Sequence, residues 1–250
     1  MRDHGTLILL RHGESTANAA GLFTGVLDVA TVDGVAEGRN AAALLNTARL
    51  SPDVVLTSTL RRAQATATIV RSLLPTPPER GWSDWRVNER NYGALTGRSK
   101  ADVVREFGEK RFTGWRRSLG SAPDPMSDEL YHELSVRPPF DTLPPQALTR
   151  TESLNDVIRR VGTFYGDTLV PLLEQGCGVL LVAHGNSLRA LCVVLDRLDD
   201  DAVRRLNLPT GQPLMYHFDA HLTPEPAGGR YLDEAGAKAG AIALALEGGT

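Results

Sequence analysis

The stretch Gly178-Val179-Leu180-Leu181-Val182-Ala183-His184-Gly185-Asn186-Ser187 joins an unbroken apolar run to a short polar turn. An apolar run without alternating polar residues is typical of a parallel strand that is buried on both faces. The His-Gly-Asn-Ser sequence that follows is typical of a helix start, where backbone N–H groups attract anions. The stretch therefore predicts a strand–turn–helix unit of an α/β fold, with polar groups at the carboxyl end of the strand.

Similar patterns recur along the chain. Further apolar strand patterns occur at Thr6–Leu10, Asp53–Thr57 and Leu214–Phe218. Amphipathic helical periods occur at about residues 34–47, 59–74, 154–173 and 187–197. The period over 154–173 is the strongest, and Thr149-Arg150-Thr151-Glu152 and Gly176 are interpreted as its capping box and its end. This alternation predicts a three-layer α/β sandwich with a mostly parallel central sheet flanked by helices.

The chain length is sufficient for one sizeable domain, and we expect a single domain over residues 1–250. Residues 98–150 are rich in charge, Trp and Pro and have no clear strand pattern, which favours a mostly helical cap inserted over the site. The tail over about residues 232–250 is rich in Ala and Gly, a composition typical of a loose helix or of flexible chain.

The composition is that of an ordinary globular protein, with 42% hydrophobic and 23% charged residues and a net charge of −3. So small a charge argues against binding to nucleic acid or to a membrane surface. The sequence contains no recognisable secretory signal or membrane-spanning stretch. Cys177 and Cys192 both lie among apolar residues, which predicts buried thiols in a reducing compartment. We therefore expect a cytoplasmic protein.

Three polar segments follow predicted strands, and the carboxyl ends of parallel strands meet at one edge of a sheet. These segments are Arg11-His12-Gly13, Ser58 to Arg62 and His184-Gly185-Asn186. A neutral imidazole beside guanidinium groups can attack an anionic phosphoryl group. His12 is the candidate nucleophile, although Arg-His-Gly alone is equally compatible with a structural histidine. His184 can donate to the transferring oxygens, the alternative being a polar helix cap.

Two further residue types complete the candidate chemistry. Adjacent arginines on a helix point to different sides, and we expect Arg62 to face the phosphate and Arg61 to face solvent. A carboxylic acid close to an anionic phosphate can retain its proton near neutral pH and deliver it to the leaving oxygen. Glu89 is the candidate acid, and its alternative role is an ordinary ion pair with Arg86 or Arg90.

In this order on one chain, the segments resemble the cofactor-dependent phosphoglycerate mutases of the histidine phosphatase superfamily over nearly the whole sequence. The resemblance is carried by Leu10–Ser15, Phe23–Gly25, Asn88–Gly97, Trp115–Arg117 and Ala183–Leu191. Arg-His-Gly marks only the superfamily, whereas the last three strings together are specific to the mutase branch.

The resemblance implies a role for each matching residue. His12 would carry the phosphoryl group, Glu89 would donate and accept the proton, and His184, Arg11 and Arg62 would stabilise the transferring group. The positions that would hold phosphoglycerate or bisphosphoglycerate are Asn18, Thr24, Gly25, Arg90, Tyr92, Lys100, Arg116, Arg117, Gly185 and Asn186. The implied reaction interconverts 3- and 2-phosphoglycerate, primed by 2,3-bisphosphoglycerate and without a metal. The resemblance also implies a homo-dimer or homo-tetramer.

The chain departs from the family pattern at Val26–Gly34, at about residues 128–145 and after Tyr231. The last two regions bear on closure of the site, and a looser cap would favour hydrolysis. A histidine-type phosphatase acting on bisphosphoglycerate or other small phosphate esters is therefore the alternative function. Three cations of the predicted cap argue against a phosphatase, because a general phosphatase does not need cations matched to a small acid. They are Lys100, Arg116 and Arg117. A second alternative is a binding protein that uses the same fold without catalysis. Such a protein would not need His12, Glu89 and His184, and the presence of all three argues against it.

Overall fold

A computed structural model describes residues 5–31 and 34–246. Within these residues the chain forms one sheet of six strands, in the order β3-β2-β4-β1-β5-β6. The strands are β1 (Leu7–Arg11), β2 (Val54–Thr57), β3 (Arg80–Ser83), β4 (Val179–Ala183), β5 (Leu214–Tyr216) and β6 (Arg230–Tyr231). β3, β2, β4 and β1 are parallel, β5 pairs antiparallel with β1, and β6 pairs antiparallel with β5. The predicted mostly parallel sheet is confirmed.

Helices cover both faces of the sheet. They are α1 (Thr16–Ala19), α2 (Gly34–Thr47), α3 (Arg61–Leu73), α4 (Lys100–Arg117), α5 (Asp128–Ser135), α6 (Leu154–Phe164), α7 (Val170–Glu174), α8 (Gly185–Asp196), α9 (Asp200–Arg205) and α10 (Glu234–Leu246). Side chains of a strand alternate between faces. Leu7 and Leu9 accordingly pack with α6 and α8, whereas Ile8 and Leu10 pack with α2 and α3. Burial on both faces explains the continuous apolar runs of β1, β2 and β4.

The start of α6 corrects one sequence interpretation. The N-cap is Ser153, whose hydroxyl accepts from the Asp156 N–H while the Asp156 carboxylate accepts from the Ser153 N–H. The capping box predicted at Thr149–Glu152 is therefore wrong. Glu152 instead forms a buried ion pair with Arg160 (2.8 Å). A π-helical turn at Tyr165–Leu169 joins α6 to α7.

The region predicted as a cap contains α4 and α5. α4 is broken at Gly108, whose φ of 79° and ψ of 157° are not helical. Met126, Phe140 and Leu148 anchor the segment after α4 by packing against Val26 and Leu60. The description of residues 98–150 as a cap on a single domain stays a prediction.

The described part of the predicted tail forms a helix that packs against the rest of the protein. Residues 234–246 form α10, and residues 247–250 of the predicted tail lie outside the described residues. Gly236 and Gly240 of α10 lie against Gln212 and Pro209, so close that a methyl group at either glycine would collide. Of the two interpretations offered for the tail, the described part is a helix. None of the described helices has the length and apolar character needed to cross a membrane.

Candidate active site

Three adjacent strands deliver the central side chains of the site. β2, β4 and β1 are neighbours in the sheet, and Ser58, His184 and His12 follow their carboxyl ends. The Ser58 Oγ lies 2.6 Å from the His184 Nε2, and the ring centroids of His184 and His12 are 4.8 Å apart. The His12 N–H also donates to the Ala183 carbonyl (2.9 Å), which continues the β1–β4 pairing into the site. These segments therefore converge, as predicted, at the carboxyl ends of the parallel strands.

Local contacts fix the tautomer of His12. The Nδ1 lies 2.6 Å from the Gly13 carbonyl oxygen, and because a carbonyl can only accept, Nδ1 carries the proton. The Nε2 lone pair is left facing Arg62, whose Nε donates to it at 3.3 Å. Burial, with the nearby Arg62 and Arg11 charges, holds the pKa of His12 well below its usual value. His12 is therefore a neutral imidazole with an unprotonated Nε2, as nucleophilic attack requires.

The two adjacent arginines of α3 take different environments. The Arg62 guanidinium donates to the carbonyls of Leu27 (2.6 Å) and Gly25 (2.8 Å), which aims it at His12. Burial lowers the pKa of Arg62 to about 10, so the group is still cationic near neutral pH. Arg61 is 66% exposed and pairs with Asp28, which also accepts from the Arg61 N–H at the start of α3. Of the two, the structure places Arg62 in the site.

Glu89 lies on the other side of the reacting centre. Its Oε1 accepts from the Arg90 N–H (2.7 Å) and from the Asn186 N–H (3.3 Å). The Asn186 amide also donates to the Tyr92 hydroxyl (3.0 Å). Glu89 is thus held by the N-terminal turn of α8 instead of by the ion pair with Arg86 or Arg90 that the sequence left open, and Arg86 pairs with Asp84 (2.7 Å).

A cavity of about 330 Å³ collects most of the predicted site. The predicted residues that line it are Arg11, His12, Asn18, Thr24, Gly25, Arg62, Glu89, Tyr92, Lys100, Arg116 and Asn186. Cations therefore face the cavity from two sides. Arg11 and Arg62 come from the carboxyl ends of the strands, and Lys100 and Arg116 come from the two ends of α4. The buried Thr24 hydroxyl has no hydrogen-bond partner among the described residues. Such an arrangement favours a small ligand with more than one anionic group.

Comparison with known proteins agrees with this chemistry. The family description "histidine phosphatase superfamily (branch 1)" matches residues 7–138. The 2,3-bisphosphoglycerate-dependent phosphoglycerate mutase of Thermobifida fusca is 46% identical over 237 residues, 93% of this chain and 95% of that protein. The enzyme of the same name from Rhodococcus jostii is 47% identical over 98% of this chain and 97% of its own length. The chain belongs to the cofactor-dependent phosphoglycerate mutase family of the histidine phosphatase superfamily.

Solved structures share the fold of this mutase-family chain at lower identity. A putative alpha-ribazole-5'-P phosphatase from Escherichia coli matches with a TM-score of 0.67 and 22% identity, over 92% of this chain and 97% of that one. Bacillus stearothermophilus YhfR matches with a TM-score of 0.66 and 22% identity, over 88% and 94%. Likeness at this identity supports the histidine phosphatase fold and no more.

Four residues taken over from the mutase family lie outside the cavity lining: His184, Gly185, Arg90 and Arg117. His184 and Gly185 lie behind it, at the start of α8. The fully buried Arg90 guanidinium donates to the carbonyls of Glu152, Trp115 and Ser121, each at 2.6–2.7 Å. These bonds tie the residue after Glu89 to α4 and to the segments around Ser121 and Glu152, and the role of Arg90 as a direct ligand stays a prediction. Arg117 donates to Asn207 (3.0 Å) instead of facing the cavity.

Several residues of the cavity wall carried no signal in the sequence. Glu37 of α2 accepts from the Glu14 N–H and from the Thr210 hydroxyl, so one carboxylate ties the His12 loop to the loop after α9. Gly236, Gly240 and Ala243 of α10 also line the cavity. The only pattern that could have indicated Glu37 is its place in the first turn of a helix, which many structural glutamates share.

The break at Gly108 lies between the two cations of α4 that line the cavity, Lys100 and Arg116. A straight α-helix would separate Lys100 and Arg116 by about 24 Å, yet both line the same cavity. Gly108→Ala is expected to lower the free energy of unfolding by about 1–3 kcal/mol, because its φ and ψ are accessible essentially only to glycine. The KM for phosphoglycerate should rise as the α4 ends move apart. Urea unfolding and steady-state kinetics measure both effects.

Gly114→Ala is the matched control for this substitution. Gly114 lies in the helical part of α4, and neither glycine has atoms within 4 Å of an added Cβ. Alanine at Gly114 should leave stability unchanged or raise it by about 0.5–1 kcal/mol. Equal effects of the two substitutions would contradict the role assigned to the break.

The two buried imidazoles predict an acid-sensitive fold. Burial and nearby guanidinium charges lower the pKa of both His12 and His184 well below 6.5. The unfolded chain therefore takes up more protons than the folded one once the pH falls below about 6.5. The free energy of unfolding should then fall by about 1.4 kcal/mol per pH unit for each histidine, until the folded-state group also titrates.

Urea unfolding at pH 7.5 and pH 5.5 measures this dependence. His184→Gln should lose less stability between the two pH values than the wild-type chain does. An unchanged pH dependence in the variant would contradict the assignment.

Proposed function

We propose that this protein interconverts 3-phosphoglycerate and 2-phosphoglycerate through a phosphohistidine at His12 and a 2,3-bisphosphoglycerate intermediate. The observation that carries the proposal is the shared cavity of His12 and the cap cations. A nucleophilic imidazole and Arg62 lie at one end, and Lys100 and Arg116 come from α4. A phosphatase needs only the first group, whereas a mutase must also hold the carboxylate and second oxygen of a small acid.

The site residues account for both half-reactions. In the first, the C2 hydroxyl of 3-phosphoglycerate attacks phosphorus on His12, the P–N bond breaks, and its electron pair returns to Nε2. Glu89 takes the hydroxyl proton. In the second, the His12 Nε2 attacks the C3 phosphoryl group, the P–O bond breaks, and Glu89 returns its proton to the C3 oxygen. Arg62 and Arg11 balance the charge on the transferring group.

The residues present fit 2,3-bisphosphoglycerate as the primer. When bound, it supplies the phosphoryl group that first loads His12. Its two phosphates and one carboxylate match a cavity with cations on several sides, and the unpartnered Thr24 hydroxyl can donate to an oxygen of the ligand. α10 forms part of the wall of this space, which supports retention of the bisphosphate over hydrolysis.

Isomerisation measured beside hydrolysis tests the proposal. Purified protein with catalytic 2,3-bisphosphoglycerate and EDTA should convert 3-phosphoglycerate to 2-phosphoglycerate, followed by 31P NMR. Release of inorganic phosphate should be slow by comparison. Steady phosphate release without isomerisation would instead support the histidine-type phosphatase as the function of this site.

We also propose a homo-oligomeric, cytoplasmic enzyme. β3 is an edge strand that pairs on one side only among the described residues, and its Trp82 is 43% exposed, which suits pairing with a second copy. Cys192 is buried and Cys177 half-buried, both as free thiols, as in a reducing compartment. Light scattering after size-exclusion chromatography should give a multiple of 27.0 kDa, and a monomer would contradict the pairing.

A further inference from the structure

Ser58 occupies a central place in the site without a role in the reaction described above. It follows β2, and its N–H donates to the Val182 carbonyl (3.3 Å), so the β2–β4 pairing holds it beside His184. Ser58 and His184 are both fully buried. A buried hydroxyl beside an imidazole restricts which ring nitrogen can carry the proton.

Two groups meet at the Ser58 oxygen. The Leu60 N–H donates to Oγ at 3.2 Å, and the His184 Nε2 lies 2.6 Å from the same oxygen. The Ser58 hydroxyl can therefore either accept a hydrogen bond from the His184 Nε2–H or donate its own O–H to an unprotonated Nε2. The far side of the ring decides between these possibilities.

The His184 Nδ1 is buried, and the His184 side chain accepts from the Ser187 backbone N–H in the capping box at the start of α8. Because Nε2 faces Ser58, Nδ1 is the nitrogen that accepts, and an accepting ring nitrogen carries no proton. Nδ1 is therefore the unprotonated nitrogen, and Nε2–H donates to Ser58. This tautomer is opposite to that of His12, whose Nδ1–H donates to Gly13 and whose Nε2 is a lone pair.

We propose that Ser58 is a positioning residue that holds His184 as the Nε2–H tautomer, ready to donate to an oxygen of the transferring phosphoryl group. The role rests on the proposed function of the site. His12 then presents a lone pair to phosphorus while its neighbour presents an N–H to the oxygens. During transfer the His184 Nε2–H turns from Ser58 to the phosphoryl oxygen, and no covalent bond changes at either residue.

NMR of protein labelled with 15N-histidine tests the tautomer without any turnover. The His184 resonances are identified by their loss in His184→Gln. At pH 7 the wild-type ring should show a protonated Nε2 and an unprotonated Nδ1. A protonated Nδ1, or an imidazolium, would overturn the proposal. Because no substrate is involved, this result is independent of whether the enzyme is a mutase or a phosphatase.

Kinetics of Ser58→Ala test the consequence. The kcat of phosphoryl transfer should fall about tenfold with KM within about twofold, since one oriented donor to the transition state is lost. His184 should also show a mixture of tautomers. Ser58→Thr retains the hydroxyl and should restore most of kcat together with the single tautomer.

Thr59→Val is the matched control. It removes the next buried hydroxyl, which donates to Asn88 (2.9 Å) and does not touch His184. The His184 resonances should be unchanged in this variant. A full kcat in Ser58→Ala, or the same change of His184 tautomer in Thr59→Val, would overturn the proposal. Thermal unfolding of each variant separates misfolding from mispositioning.

Discussion

A His12→Asn variant is expected to form no phosphoenzyme and to lose isomerase activity by at least about 10³-fold. The amide nitrogen of asparagine is not nucleophilic, because its lone pair is delocalised into the carbonyl group, and the cations around the site cannot replace the imidazole. Incubation with radiolabelled 2,3-bisphosphoglycerate should leave an acid-labile phosphoryl group on the wild-type chain and none on the variant. The same samples give the rate of conversion of 3-phosphoglycerate.

His217→Asn provides the control for this experiment. His217 is an exposed histidine after β5, outside the cavity lining. It should keep both the adduct and the activity. If the His12 variant still formed an acid-labile adduct, the nucleophile would have been assigned to the wrong residue.

The second large effect is expected at Glu89. Glu89→Gln should reduce isomerisation by about 10²–10³-fold, because glutamine cannot exchange a proton with the sugar-acid oxygen. Loading of His12 from p-nitrophenyl phosphate should fall far less, since nitrophenolate leaves without protonation. The ratio of the two rates therefore measures proton transfer separately from binding.

Glu109→Gln, on the exposed surface of α4, makes the same change of charge away from the cavity. It should alter neither rate. An equal loss of both reactions in Glu89→Gln would mean that Glu89 shapes the site and does not move a proton.

The strands that could be predicted are those buried on both faces. β1, β2 and β4 are continuous apolar runs because helices cover the sheet on either side. β3 gave no such signal, since all four of its residues, Arg80–Ser83, are exposed at the sheet edge. Only its pairing with β2 makes it a strand, and pairing partners are not encoded in a local pattern.

The site residues also differ in whether a local sequence pattern could predict them. His12, Arg62 and His184 could be predicted because each follows a recognisable strand or opens a helix. The surroundings of Arg90, which the resemblance makes a ligand position, could not be predicted, because its sequence neighbours do not reveal that three carbonyls enclose its guanidinium. Ser58 was visible only as part of a cationic segment, and its contact with His184 arises from strand order.

The row formed by Ser58, His184 and His12 also has a consequence for folding. Ser58 and His184 are 126 residues apart in the chain, and they meet only after β4 has inserted between β2 and β1. Contacts of such long range form slowly, because closing the intervening loops costs entropy before any contact is gained. On the proposed mechanism, a chain that has formed only its local helices should not accept a phosphoryl group. We therefore expect His12 to become phosphorylatable during refolding only when the centre of the sheet is complete.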